Sequence, residues 1–266
     1  MRLHYSKLGN GPALLILHGL YGQGDNWMNI ARELAESYTV YLIDQRNHGK
    51  SPHAPSHTYD DMADDLHELC ISLNLDRFIL LGHSMGGKTA MTFTLKYPGI
   101  VQKLISVDIS PYSYLNQKQF EHQINFHKTI LKTFQEAPVA LAKTRTEIEM
   151  FFSKPIGDIS VRKFLLKNLK RSKEGKFYWQ LNIVALSENL EDIIGAASPV
   201  KFGTQSYIPI LFIRGGKSPY ISIDEMGAIP DVFPNAQFTT FENAGHWLHA
   251  EEPERFIETV RQFLQD

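Results

Sequence analysis

The sequence predicts an α/β protein: a mostly parallel central sheet flanked by helices, with a helical cap inserted late in the chain. Three observations predict it. The apolar runs at residues 13–17, 39–43, 78–81 and 101–107 are short and continuous rather than alternating, as in strands buried on both faces of a parallel sheet. Segments with helical character, at 26–36, 59–73 and 88–97, separate those runs at a pitch that calls for right-handed crossovers. Finally, strand signals vanish across 112–207, where 117–134, 138–152, 160–169 and 182–190 read as helices.

Composition narrows the functional classes. A chain of 266 residues can bury one large core, and no Pro/Gly/Ser-rich linker or charge run divides it, so one domain with an insertion is expected: a core of 1–111 and 206–266 and a cap of 112–205. Net charge is −2 with both signs interspersed, which gives no basic stripe, and nucleic acid is not an expected partner. The single cysteine, Cys70, falls on the apolar-periodic segment 59–73, where it is expected to be buried, and one cysteine cannot build an internal disulfide framework. No apolar core precedes Gly9 and no later stretch approaches bilayer-spanning length, so a cytoplasmic protein without a membrane span is expected.

Taken in order, residues 1–8 alternate weakly and suit an edge strand. The run 13–17 ends in His18-Gly19-Leu20-Tyr21-Gly22, a glycine-rich loop at a strand's carboxyl end. Such a loop can turn backbone N–H groups toward a ligand, and an oxyanion needs two such donors about 3 Å away; the N–H of Leu20 is the candidate for one. The run 39–43 leads into the polar loop Asp44-Gln45-Arg46-Asn47-His48-Gly49-Lys50-Ser51, where Asp44 and Arg46 suit a structural role in bonding loop backbone. Residues 59–73 place Met62, Leu66, Leu69 and Leu73 at helical spacing.

The run from Phe78 then stops abruptly in Gly82-His83-Ser84-Met85-Gly86-Gly87 and passes into the helical segment 88–97. A bare Gly-x-Ser-x-Gly turns up by chance in roughly one chain in ten of this length. Strand before, helix after and a third glycine make it a sharp elbow with Ser84 at its tip, its hydroxyl free to approach a carbonyl carbon and the Met85 N–H beside it. Ser84 is therefore the candidate nucleophile.

The run 101–107 delivers Asp108 at its carboxyl end, in Asp108-Ile109-Ser110-Pro111. Within the insertion, Phe126, Phe151, Phe177, Tyr178 and Trp179 are candidates for apolar walls of a pocket over the strand ends. The sheet resumes at 208–213, followed by Arg214-Gly215-Gly216-Lys217-Ser218-Pro219-Tyr220 and a helix near 223–229. A last strand at 237–241 ends in Asn243-Ala244-Gly245-His246-Trp247, and a helix closes the chain at 253–264.

Position sorts the eleven histidines. His246 lies just beyond the last strand, in the loop joining it to the last helix, whence an imidazole can take the Ser84 proton and return it to a leaving group. His18 and His83 are expected to make structural hydrogen bonds, and His249 to be a surface or loop residue away from the site. No His-Glu-x-x-His, cysteine cluster or convergent trio of ligands marks a metal site, and no cofactor is expected.

Together, the Ser84 elbow, the His18-Gly19 loop, Asp44-x-Arg46-x-x-Gly49-x-Ser51 and Ala244-Gly245-His246 resemble the α/β-hydrolase superfamily, in the order nucleophile, acid, histidine. More narrowly, Val107-Asp108-Ile109-Ser110-Pro111, Arg214-Gly215-Gly216-x-Ser218-Pro219-Tyr220 and Gly245-His246-Trp247-x-His249-Ala250-Glu251 resemble the YbfF-type esterases and their mitochondrial abhydrolase-domain relatives. That resemblance implies the α/β-hydrolase fold and hydrolysis of carboxylic esters, with acyl-CoA thioesters as a further class. It also implies a triad acid at Asp108, whereas the commoner superfamily position, the loop after the strand that follows the cap, offers no carboxylate before Asp224. Asp224 stays open as the alternative, in what reads as the first turn of a helix. The expectation is a serine hydrolase with Ser84, His246 and Asp108 as triad, and Leu20 and Met85 as oxyanion donors. Carbon–carbon bond hydrolysis by the same triad and a non-catalytic ligand-binding role remain the alternatives. A haloalkane dehalogenase is disfavoured, since it would carry an aspartate where this chain has Ser84.

Overall fold

The computed structural model describes residues 1–197 and 203–265; residues 198–202, inside the expected insertion, lie outside the described residues. From the N-terminus the elements are β1 (Tyr5–Leu8), β2 (Ala13–Leu17), α1 (Met28–Leu34), β3 (Thr39–Ile43), α2 (Tyr59–Ser72), β4 (Phe78–His83), α3 (Met85–Lys96) and β5 (Val101–Val107). There follow α4 (Glu121–Glu136), α5 (Arg145–Ser153), α6 (Ile159–Leu165), β6 (Leu169–Arg171), β7 (Phe177–Trp179), α7 (Ile183–Glu188) and α8 (Leu190–Ile194). The chain closes with β8 (Ile210–Gly215), α9 (Ile223–Ala228), β9 (Ala236–Phe241), α10 (Leu248–Glu251) and α11 (Pro253–Gln265).

Seven strands form one sheet in the order β1-β3-β2-β4-β5-β8-β9, with β1 antiparallel to β3 and the other pairs parallel. The continuous apolar runs are the reason: a parallel strand covered on both faces has no polar side. Leu15, Leu17, Leu80 and Leu104 enter one core with α2 and α3, while Leu14, Ile16, Leu81 and Ile105 enter the other with α1 and α11. Each strand sends successive side chains to opposite faces and so feeds both layers. Full burial of a leucine or phenylalanine is worth about 1.5–3 kcal/mol, so these two layers dominate the stability of the sheet and fix where its carboxyl ends lie.

Three expectations for residues 112–207 need correcting. This stretch is not free of strands: Leu169–Arg171 and Phe177–Trp179 pair as an antiparallel hairpin, Leu169 facing Trp179. The strands are three residues each and broken by a Ser-Lys-Glu-Gly turn, too short for alternation to show. Nor is 138–152 one helix. Residues 138–144 are turn and bend, and α5 starts only where Thr144 caps it by accepting the Glu147 N–H. The expected helix at 160–169 likewise ends at Leu165, its last residues turning through a 3₁₀ segment into β6. Cys70 is buried in α2 as expected, and burial pushes its thiol up to about 12.

Candidate active site

The elbow between β4 and α3 is set by what cannot fit there. A Cβ on Gly82 would stand 2.2 Å from the Gly86 carbonyl oxygen, and one on Gly86 would stand 2.4 Å from the Leu17 carbonyl oxygen. With glycine at both positions the strand passes straight into the helix, and Ser84 takes φ +53, ψ −122, a conformation that non-glycine residues rarely hold. The backbone is tied down on both sides: the Ser84 N–H donates to the Val107 carbonyl at 3.0 Å, and the Gly87 N–H donates back to the Ser84 carbonyl at 2.8 Å.

Asp108 follows β5 directly, so the strand next to β4 carries it to the same edge of the sheet. It too is left-handed, at φ +51, and fully buried. Its carboxylate is surrounded by donors. The Gly215 N–H at the end of β8 reaches one oxygen at 2.8 Å, while the Ser218 hydroxyl and the His246 Nδ1–H, the latter at 2.7 Å, reach the other. The acid therefore spans the end of β8 to meet a histidine delivered by β9. Asp224, the alternative, is exposed in the first turn of α9, and the pairing of His246 is with Asp108.

His246 is held by its backbone as well as its ring. Buried His83 donates from Nε2 to the His246 carbonyl at 2.8 Å, and the ring of Tyr220 packs on the His246 imidazole with centroids 4.3 Å apart. Burial, then repulsion from His246 and His249, holds the His83 imidazole well below the usual histidine range, so it is a neutral donor. Among the described residues no hydrogen bond joins the Ser84 hydroxyl to His246; both side chains line the same cavity. Catalytic hydrogen bonds are commonly loose before substrate arrives.

The loop at Gly19 comes close to Ser84: a Cβ on Gly19 would lie 3.2 Å from Ser84 Cβ. Leu20 N–H is the next donor along that loop and Met85 N–H is the first of α3, and among the described residues neither has a protein acceptor. Two unpaired N–H groups flanking a serine form an arrangement able to hold a developing oxyanion.

The cavity over Ser84 has a volume of about 270 Å³. Its walls include Phe126 and Ile130 of α4, Val161 and Phe164 of α6, and Trp247. Of the five aromatics expected as walls, Phe126 alone lines this cavity among the described residues. Trp179 packs edge-on against Phe134 and beside Phe152, inside the insertion's own core, and Tyr178 is exposed.

His249 corrects another expectation. It is buried and lines the cavity, its ring stacked on Trp27 at 4.1 Å, and burial followed by the charge of His246 pushes it down to about 3. A short helix, α10, begins directly after Trp247 and turns His249 inward; four residues are too few to leave a periodic signal. His18 does structural work, accepting the Gln45 N–H at Nε2 and donating at Nδ1 to the Gly19 carbonyl. Asp44 accepts from the N–H groups of Gly24 and Lys50, and Arg46 bonds buried Asp65 at 2.6 Å and the Ser56 carbonyl at 3.2 Å. Ser218 and Tyr220 went without a role in the sequence reading, although the motif Ser218-Pro219-Tyr220 in the loop after the sixth main strand was the signal that could have found them.

Residues 12–253 match the family model described as the alpha/beta hydrolase fold. The chain belongs to the alpha/beta hydrolase family. Within that family it is 39% identical to the sn-1-specific diacylglycerol lipase ABHD11 of Danio rerio, over 97% of this chain and 80% of that protein. It is 31% identical to the esterase YbfF of Escherichia coli, over 97% of this chain and 94% of that one. A solved structure of a marine microorganism esterase superposes with a TM-score of 0.93 at 43% identity, covering 98% of this chain and 99% of the other. Hydrolase activity of the esterase and lipase type follows from these relatives. The described residues contain no helix long and apolar enough to cross a membrane, and no group of three or more His, Cys, Asp or Glu side chains able to hold a metal ion.

Proposed function

We propose that the protein is a carboxylic ester hydrolase working through an acyl-enzyme on Ser84. The observation that carries this reading is the 2.7 Å hydrogen bond from His246 to a fully buried Asp108 that two further donors hold in place, with Ser84 on the same cavity. His246 Nε2 takes the Ser84 proton as Oγ attacks the acyl carbonyl. Asp108 keeps the proton of the imidazole on Nδ1 and stabilises the imidazolium that forms. The N–H groups of Leu20 and Met85 receive the oxyanion. Collapse expels the alcohol with the proton from His246, and water, activated by the same imidazole, releases the acid.

The domain division proposed is a core of 1–111 and 206–266 with a cap of 112–205, since the cavity draws one wall from the strand ends and the other from α4 and α6. An apolar cavity of about 270 Å³ is at the small end for ligand pockets and suits a short or medium acyl chain, with the rest of a larger ester at the mouth. Glyceride esters enter the candidate list from the name of the Danio relative, and acyl-CoA thioesters from the same carbonyl chemistry. The test is a panel of p-nitrophenyl esters from acetate to palmitate, run beside a diacylglycerol and acyl-CoA thioesters, with Ser84→Ala as control. Ser84-dependent turnover of the esters is expected; turnover equal in Ser84→Ala, or none of any ester, contradicts the proposal.

A further inference from the structure

Tyr21 is the residue after the Leu20 donor, and it is held in the left-handed region at φ +64. An aromatic residue there costs on the order of 1–3 kcal/mol and persists only where its surroundings over-determine it. Every polar group of Tyr21 is indeed engaged. Its N–H donates to His48 Nε2 at 3.2 Å, its carbonyl accepts from Asn168 Nδ2 at 2.8 Å, and its hydroxyl meets His127 Nδ1 at 3.3 Å. Of these partners His48 belongs to the loop after β3, whereas Asn168 and His127 come from the segment between β5 and β8.

Asn168 is built for this contact at a cost. The residue is 1% exposed, and both hydrogens of its NH₂ are used, on the Tyr21 carbonyl and on the Leu165 carbonyl at 3.0 Å. Turning the amide over would aim its oxygen at two carbonyl oxygens, so the orientation is fixed. The same geometry leaves Asn168 Oδ1 buried without a partner among the described residues, a penalty of about 1–3 kcal/mol that an apolar side chain would not incur. His127 joins both halves of the site: its Nε2 meets the Tyr220 hydroxyl at 3.4 Å, and Tyr220 packs on His246. Burial, then repulsion from His246, pushes the His127 imidazole down to about 4, which leaves the neutral ring one donor and one acceptor for two hydroxyls.

We propose that Asn168 and His127 are positioning residues through which the cap sets the oxyanion loop: by pinning Tyr21 in its left-handed conformation they hold the turn Gly19–Gly22, and with it the Leu20 N–H, aimed at the carbonyl bound to Ser84. This rests on the reading of Ser84 as nucleophile and Leu20 as donor given above. The cap then does more than wall the acyl chain, because the alignment acts on the reacting carbonyl whatever chain follows it.

The test compares wild type, Asn168→Leu and His127→Phe on p-nitrophenyl acetate and p-nitrophenyl octanoate, together with the affinity of a trifluoromethyl ketone, whose hemiketal oxygen needs the oxyanion donors. Loss of one oxyanion donor costs about 10²–10³ in kcat, and loosening it costs less. Asn168→Leu should therefore lose about ten- to a hundred-fold in kcat, equally for both esters, with KM within about two-fold and ketone binding weakened by the same factor. His127→Phe should move the same three readouts in the same direction, and carries the test if Asn168→Leu does not fold. A folded variant with wild-type kcat, a loss confined to octanoate, or unchanged ketone affinity overturns the proposal. Wild type inert on every ester, or activity that survives Ser84→Ala, overturns instead the reading on which it rests.

Discussion

Replacing Asp108 by asparagine isolates one property of the site, the choice of histidine tautomer. Asparagine tolerates the left-handed backbone at φ +51, and its carbonyl can still accept the Gly215 N–H that now lies 2.8 Å away. What changes is the second oxygen, which becomes an NH₂ facing the Ser218 hydroxyl and His246 Nδ1. Ser218 can turn its hydrogen aside and accept, so the fold survives. The imidazole can accept only by moving its proton to Nε2, where it faces Ser84 as a donor and no longer serves as a base. The same exchange in trypsin costs about 10⁴-fold in kcat, or about 5.4 kcal/mol of transition-state stabilisation at 1.36 kcal/mol per factor of ten. Steady-state hydrolysis of p-nitrophenyl acetate at neutral pH, with thermal melts of each protein, reads this directly. Asp108→Asn should melt within a few degrees of wild type and be nearly silent, while Asp224→Asn, altering an exposed carboxylate, should change kcat only a few-fold. A folded Asp108→Asn retaining a tenth or more of wild-type kcat would refute the reasoning.

Three further predictions concern the elbow, the histidines and the pocket. Gly86→Ala places a Cβ 2.4 Å from one backbone oxygen and 2.6 Å from a second, so it should cost about 4 kcal/mol or more, read by chemical denaturation; wild-type stability in this variant contradicts the elbow geometry. His249 has its folded value depressed to about 3 against about 6.5 unfolded, so the unfolded chain binds a proton that the folded protein refuses between those limits. Its contribution is full above pH 6.5 and falls by about 1.4 kcal/mol for each pH unit below it, and His249→Phe, which keeps a ring on Trp27, should lose on the order of 2 kcal/mol less than wild type between pH 7 and 5; equal losses in urea titrations count against a neutral, buried His249. Phe164→Ala opens the cavity wall at α6 and should raise the octanoate-to-acetate preference about ten-fold, an effect absent if the acyl chain lies elsewhere.

What the sequence disclosed followed from long-range regularity. Continuous apolar runs gave the parallel strands because burial on both faces leaves no polar alternation, and Gly82 and Gly86 marked the elbow because nothing larger fits beside the Leu17 and Gly86 carbonyls. The polar end of β5 pointed to Asp108 for the same reason: a carboxylate after a buried run sits at the sheet's edge. Short elements escaped. The hairpin of β6 and β7 and the single turn of α10 lack the length for a period to register, so the inward turn of His249 was missed with them. The contacts that hold Asp108 and the Tyr21 carbonyl in place escaped for a different reason. Ser218 donates to a carboxylate 110 residues away in sequence and Asn168 to a carbonyl 147 residues away, and neither residue type announces such a partner. Aromatic content in the insertion could not say which rings face the cavity, since an apolar ring suits a cavity wall and an internal core equally: Phe126 lines the cavity, whereas Phe152 packs on Trp179.

The central claim is that Ser84 is the nucleophile, and the most direct measurement is the site of covalent labelling by a small fluorophosphonate, mapped by peptide mass spectrometry in wild type, Ser84→Ala and His246→Ala. The account predicts a single phosphonyl adduct on the peptide containing Ser84 in wild type, none in Ser84→Ala, and labelling slowed by orders of magnitude in His246→Ala with the fold intact. An adduct on any other residue, or labelling that persists in Ser84→Ala, would contradict it.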